Sequence, residues 1–226
     1  MKTTLPFLKE LSKNNNKEWF AANKAHYQTI QKEIGIFTEN LIAGIAKFDH
    51  TIAGLTAKDC AFRIYRDTRF SHDKTPYKTH VGIFVCKGGK NSGNAGYYFH
   101  IEPKGKGWLG GCMLAVGLYH PEPAILKSVR EDILSNGANF VKTIKSAKGF
   151  DWDNDEEEKL SRPPKGFPAD SPYIEYIKQK NFSLVQLFDE EMLADNKKLL
   201  DFCVKEFKKT KSFADHLNTA VAFVRD

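Results

Sequence analysis

Between Arg63 and Lys78 the chain sets five cations, Arg63, Arg66, Arg69, Lys74 and Lys78, among two aspartates, Asp67 and Asp73, and three rings, Tyr65, Phe70 and Tyr77. Planar guanidinium groups grip carboxylate or phosphate through two parallel hydrogen bonds, and lysine adds a compact point charge. Focused on one rim, these groups suit a small ligand bearing phosphate, sulfate or carboxylate. Neutralised instead by Asp67, Asp73 and a carboxylate from elsewhere, the same groups form a structural ion-pair network, because charges resist burial unless paired. The residues leave both readings open.

Read as a strand, Cys60–Asp67 places Arg63, Tyr65 and Asp67 on one face, within about 14 Å at ~3.4 Å per residue, and Phe62, Ile64 and Arg66 on the other. This register predicts a structural Arg66, with Arg63 and Arg69 left to meet a ligand. Arg69, Lys74 and Lys78 follow in a loop stiffened by Pro76. A second constellation, Tyr98, His100 and Glu102, alternates with Tyr97, Phe99 and Ile101, so it shares the non-core face of another strand. A histidine beside a carboxylate is the usual arrangement of a general base, which makes His100 and Glu102 the catalytic candidates and Tyr98 a ligand contact. Residues two apart on a strand stand ~7 Å apart, so a hydrogen-bonded structural His100 is the competing reading.

Other chemistry finds less support. His72, His80 and His120 show no H-x-x-x-H or comparable spacing with His100, so neither a metal nor any other cofactor is expected. Gly88–Gly93 lacks the G-x-x-x-x-G-K-[ST] pattern of a phosphate loop and joins two predicted strands. No G-x-S-x-G elbow is present. Cys60, Cys86, Cys112 and Cys203 are too scattered for a zinc knuckle or a disulfide framework and read as reduced core thiols.

These candidates need positioning. Pro6–Leu11 reads as a short helix, with Asn14-Asn15-Asn16 offering caps to a long helix whose apolar stripe runs from Phe20 through Tyr27, Ile30, Ile34, Phe37, Leu41 and Ile45 to Phe48. Four β-like runs follow, Cys60–Asp67, His80–Lys87, Gly96–Pro103 and Trp108–Leu118, with a glycine-rich turn at Lys87–Asn94 and a hairpin turn at Pro103–Gly107. Helices are predicted at Pro121–Ser135, Phe140–Ala147, Pro172–Gln179, Asp189–Lys209 and Phe213–Phe223, a strand at Phe182–Phe188, and a solvated acidic connection at Asp151–Glu158. The expected fold is a single α+β domain over 1–226, a central antiparallel sheet flanked by the long N-terminal helix and the C-terminal helices.

With 226 residues, 41% hydrophobic and 17 of them Phe, the chain can bury a sizeable core and is not of disordered composition. A net charge of +6 favours anionic partners without choosing among them. Nucleic acid is not expected to be the partner, since the excess is small and no RNP-like motif is present. The N-terminus lacks the apolar run of a signal peptide and no stretch reaches membrane-spanning length, which points to the cytoplasm and away from membranes. Oligomeric state leaves no mark in the sequence.

Leu5-Pro6-Phe7-Leu8, Asn14 through Phe20, Arg63-Ile64-Tyr65-Arg66-Asp67-Thr68-Arg69-Phe70-Ser71, Lys74-Thr75-Pro76-Tyr77-Lys78, Tyr97-Tyr98-Phe99-His100 and Arg162-Pro163-Pro164-Lys165-Gly166-Phe167 together resemble a widespread family known as a conserved domain of unknown function. At Tyr119 the family pattern favours Trp, which keeps an aromatic ring. The resemblance covers nearly the whole chain and brings no activity, substrate or catalytic residue with it. The reading from the residues is therefore a protein binding a small anionic ligand through Arg63, Tyr65, Arg66, Asp67, Arg69, Lys74, Tyr77, Lys78 and Tyr98, with an enzymatic role left undecided. The alternative is a non-catalytic module that contacts nucleic acid or a protein through the same basic patch.

Overall fold

The structure is a computed structural model that describes residues 1–105, 109–154, 156 and 158–225. Trp108, part of the hairpin turn at Pro103–Gly107 and part of the acidic run lie outside the described residues.

The N-terminal fifth is helical: α1 (Thr4–Lys13), α2 (Lys17–Ala22) and α3 (Lys24–Ala46). Asn16 caps α2 by accepting the Trp19 N–H at 2.8 Å. The single long helix expected from the apolar stripe is broken at Asn23, whose side-chain amide donates to the Trp19 carbonyl at 2.9 Å and closes α2. A short polar side chain that competes with the backbone in this way ends a helix even inside a continuous stripe.

The sheet has the order β1-β2-β3-β5-β4, with every neighbouring pair antiparallel. Its strands are β1 (Val81–Cys86), β2 (Gly96–Ile101), β3 (Cys112–Leu118), β4 (Asp151–Trp152) and β5 (Phe182–Phe188). The α+β class and the strands near 80–87, 96–103, 112–118 and 182–188 agree with the sequence reading. The strand expected over Cys60–Asp67 does not form. Thr56 and Asp59 make a capping box that starts a helical turn, α4 (Ala57–Cys60), and beyond it only isolated bridges link Ala61 to Ile83 and Tyr65 to Tyr77. β4 falls at the start of the run expected to be a solvated connection.

The two helices expected at Pro121–Ser135 and Phe140–Ala147 are present as the two arms of α5 (Pro123–Ser146), which meet at a kink where Asn136 leaves helical angles. The segment at Pro172–Gln179 shortens to α6 (Ile174–Ile177). A 3₁₀ turn at Glu190–Ala194 precedes α7 (Asn196–Lys209), whose cap Asp195 accepts from the Lys197 and Lys198 N–H groups, and α8 (Lys211–Arg225) follows.

One buried apolar cluster joins Met1 in the first turns to Val221 in α8. Tyr97 and Phe99 of β2 face it, Phe99 5.0 Å from Phe37 of α3 and Tyr97 5.4 Å from Phe207 of α7, centroid to centroid. The Tyr97 hydroxyl donates to buried Asp49 at 2.9 Å. Tyr98, His100 and Glu102 turn to the opposite face, as their alternation requires. All four cysteines are buried and free, and burial pushes the Cys60 thiol up to about 12 and Cys112 to about 11, which makes reactive thiolates of neither. Among the described residues no helix is long and apolar enough to cross a membrane.

Gly117 lies at φ +144°, where an added Cβ would sit 1.9 Å from the Phe182 carbonyl oxygen. Gly117 lies opposite Ser183, one step before the β3–β5 pair closes at Leu118 opposite Phe182. Gly117→Ala is therefore expected to lower the denaturation midpoint strongly, by about 2–3 kcal/mol or more. A variant within ~0.5 kcal/mol of the parent would show that the strand end moves freely.

Candidate functional site

The cationic segment folds back on itself. The Arg66 N–H donates to the Pro76 carbonyl at 3.0 Å and the Lys78 N–H to the Ile64 carbonyl at 2.8 Å, so residues 64–66 and 76–78 run side by side. Asn15, in the α1–α2 joint, clamps this hairpin-like loop by donating to the Tyr77 carbonyl at 2.9 Å and accepting the Tyr77 N–H at 3.1 Å. Aromatic packing completes the docking: Tyr77 stacks on Phe20 at 3.9 Å, and Tyr65 meets Phe20 and Tyr77 at 5.9 and 5.5 Å. Tyr77 is buried, so its ring holds the loop to the helices, whereas Tyr65 stays about half exposed. The alternation read from sequence survives only in part without a strand: Ile64 is buried and Arg63, Tyr65 and Asp67 are exposed, but Phe62, expected beside Ile64, is exposed as well.

Two of the five cations are balanced by aspartates within the loop. Arg66 bonds to Asp73 and to the Thr75 hydroxyl, and reaches the Thr75 carbonyl at 3.2 Å. Arg69 holds Asp67 in a two-pronged grip at 2.9 and 2.6 Å. Lys74 donates to the Thr68 carbonyl at 2.9 Å. The hydrogen bonds from Arg69 hold the Asp67 carboxyl at about 2, and those from the Thr75 N–H and Arg66 do the same for Asp73. Arg66 is a quarter exposed rather than buried with Ile64. Arg66→Ala is expected to speed limited proteolysis within residues 67–74, while Arg69→Ala leaves the cleavage rate near the parent's; equal effects would dissolve the distinction between these two pairs.

Arg63 and Lys78 differ. Among the described residues neither makes a close ion pair, although Asp67 feels the Arg63 charge, and burial together with the Arg63 charge pushes the Lys78 ammonium below its ordinary value. The Lys78 ammonium also lies 5.3 Å from the centre of the Phe62 ring. Lys78 stands in the wall of an open cleft of about 670 Å³ whose other charged lining residues are Arg66 and the two aspartates Asp67 and Asp73, with Ser12, Asn15, Thr75, Tyr77, Thr79 and His80 around them.

His80 leads from this cleft to the second constellation. His100 and Glu102 are fully buried and His80 is 17% exposed. The Tyr98 hydroxyl lies 2.9 Å from His100 Nδ1. Glu102 Oε2 accepts the N–H groups of Leu109 at 2.5 Å and Gly110 at 2.8 Å. Burial pushes the His100 imidazole down, against the pull of Glu102, which favours its neutral form. Gly82 makes room for Tyr98, since a Cβ there would stand 2.7 Å from the hydroxyl.

Asn15 and the Ser12 side of the cleft were not foreseen, and His80, weighed with His100 as a metal ligand, was set aside for want of a local spacing. A local spacing could not reveal them, because Asn15 acts across 62 residues and His80 faces its partners across a strand pair. Register counting from the Lys87–Asn94 turn is the one signal that would have placed His80 opposite Glu102.

Residues 3–216 match the model of a family described as a conserved hypothetical protein, DUF2461. No curated protein and no solved structure matches the chain.

Proposed function

The chain belongs to the DUF2461 family of conserved hypothetical proteins, and from that premise we propose that it binds a small anionic ligand, bearing phosphate or carboxylate, in the cleft between the α1–α2 joint and the 64–78 loop. Lys78 carries the reading. It is a partly buried ammonium beside a second cation, in the wall of a cleft, with no carboxylate partner among the described residues. Such a charge is costly until an anion supplies the missing partner. Arg63 adds charge from outside, and Ser12, Asn15, Thr75 and Thr79 offer neutral polar groups. Arg66 through Asp73 and Thr75, Arg69 through Asp67, and Lys74 through the Thr68 carbonyl shape the rim, and Tyr65 and Tyr77 dock it.

Calorimetric titration of the protein with inorganic phosphate and with citrate tests this. Saturable binding is expected, with Lys78→Met weakening it about 10- to 100-fold, the worth of one charged hydrogen bond. The folded state of Lys78→Met should be as stable as the parent or slightly more so, because a poorly solvated charge is removed. Failure of both anions to bind, or binding indifferent to Lys78, overturns the proposal. Submicromolar binding of DNA or RNA at ~150 mM salt, falling steeply as salt rises, would replace it with the nucleic-acid module.

A further inference from the structure

Sheet register alone brings His80, His100 and Glu102 together. In the β1–β2 ladder Gly82 faces His100 and Val81 faces Ile101. One step further along the same ladder sets His80 against Glu102, and the pleat sends all three side chains to the face opposite Tyr97 and Phe99. One donor atom from each, an imidazole nitrogen from each histidine and a carboxylate oxygen, lies within 4.8 Å of the other two. The rings stand 4.9 Å apart.

The separations have a meaning of their own. His80 Nδ1 is 3.7 Å from Glu102 Oε1 and His100 Nε2 is 3.5 Å from Oε2. Charge-assisted hydrogen bonds close to roughly 2.7–2.9 Å, so neither contact is a tight ion pair. Donors that each approach a shared ion to about 2.0–2.2 Å stand roughly 3–3.5 Å from one another, and small side-chain rotations reach that spacing from here.

The surroundings also suit an ion. With its Nδ1 bonded to the Tyr98 hydroxyl, His100 presents Nε2 to the cluster, the kind of outer partner that fixes the ring and tautomer of a ligating histidine. Glu102 Oε2 is held by the Leu109 and Gly110 N–H groups, which orient its carboxylate. Two imidazoles and one carboxylate form the donor set of His₂Glu zinc centres and of non-haem ferrous sites. His80 lines the cleft, so coordination positions left unfilled by protein would open towards it.

The geometry points to a binding site for a divalent transition cation, zinc or ferrous iron, formed by His80, His100 and Glu102. The sequence expectation of no metal rested on spacings along one element, whereas these ligands come from two strands. The site does not depend on the anion reading, although an ion of charge +2 over one carboxylate would add to the positive potential of the cleft.

The test uses the whole protein, stripped with a chelator and titrated with Co²⁺ as a visible probe, then with Zn²⁺ in competition against a chromophoric chelator. One ion per chain is expected. His80→Ala and His100→Ala should each lower the affinity about 100-fold or more, and Tyr98→Phe, which keeps every ligand, about tenfold. Because His80 is partly exposed, His80→Ala decides the matter even if His100→Ala fails to fold. No uptake of Co²⁺ at ~100 µM by the folded parent, or stoichiometric uptake that His80→Ala leaves unchanged, overturns the assignment.

Discussion

Glu102→Ala is expected to destabilise the metal-free protein by about 2–4 kcal/mol, since two backbone N–H donors lose their acceptor at ~1–3 kcal/mol each. The carboxylate is fully buried, and its loss strands the Leu109 and Gly110 N–H groups and leaves two imidazoles facing a void. Glu102→Gln should cost less than half as much. An amide oxygen in the Oε2 position still accepts both N–H groups, and its NH₂ can donate to a neutral His80 Nδ1. Urea midpoints of the two variants in chelator measure the difference. If Glu102→Ala loses under ~1 kcal/mol, the carboxylate does not organise this region.

The second large effect is expected at Glu33. Its carboxylate receives the Met1 α-ammonium at 2.7 Å, the Thr3 and Thr4 hydroxyls at 2.7 and 3.0 Å, and the Asn196 amide at 3.3 Å. Burial alone would raise this carboxyl, but the hydrogen bonds, led by that from the α-ammonium, bring it from 4.5 down to about 2. A carboxyl depressed in the folded state stabilises above its unfolded value. That contribution is whole above pH 4.5 and fades as pH falls towards 2. At ~1.4 kcal/mol per unit the shift corresponds to roughly 3 kcal/mol, which solvent access to the side chain reduces to about 2. Glu33→Gln should therefore lose about 2 kcal/mol at pH 7 and converge on the parent near pH 2. Equal gaps at pH 7 and near pH 2 would place the effect in packing instead of charge.

What the sequence disclosed follows the range of the forces involved. Alternation in Tyr97–Glu102 correctly divided core from site, because the pleat acts between neighbours. The Asn16 cap and the β5 run were legible for the same reason. The strand expected at Cys60–Asp67 was lost to a capping box, Thr56 to Asp59, that lies just ahead of it and was itself readable. The role of Arg66 and Arg69 was only half legible: Asp67 and Asp73 were visible as partners, but which aspartate closes on which arginine is decided by the path of the loop. His80 with Glu102, and Asn15 with Tyr77, depend on chain segments meeting in space, and no local pattern records that.

Both borders of the sheet are guarded. At one, Ala61 bridges to Ile83 and the Phe62 N–H donates to the Gly82 carbonyl, so the residues just ahead of the cationic segment cover the outer side of β1. At the other, β4 is two residues long and begins with Asp151. A border strand that is short, charged or covered gives a second chain little bare backbone to pair with. Amyloid-like growth from this fold would then have to wait for the 61–66 segment to peel away, which makes the docking of that segment on Phe20 and Asn15 a safeguard of colloidal stability as well as the scaffold of the cleft.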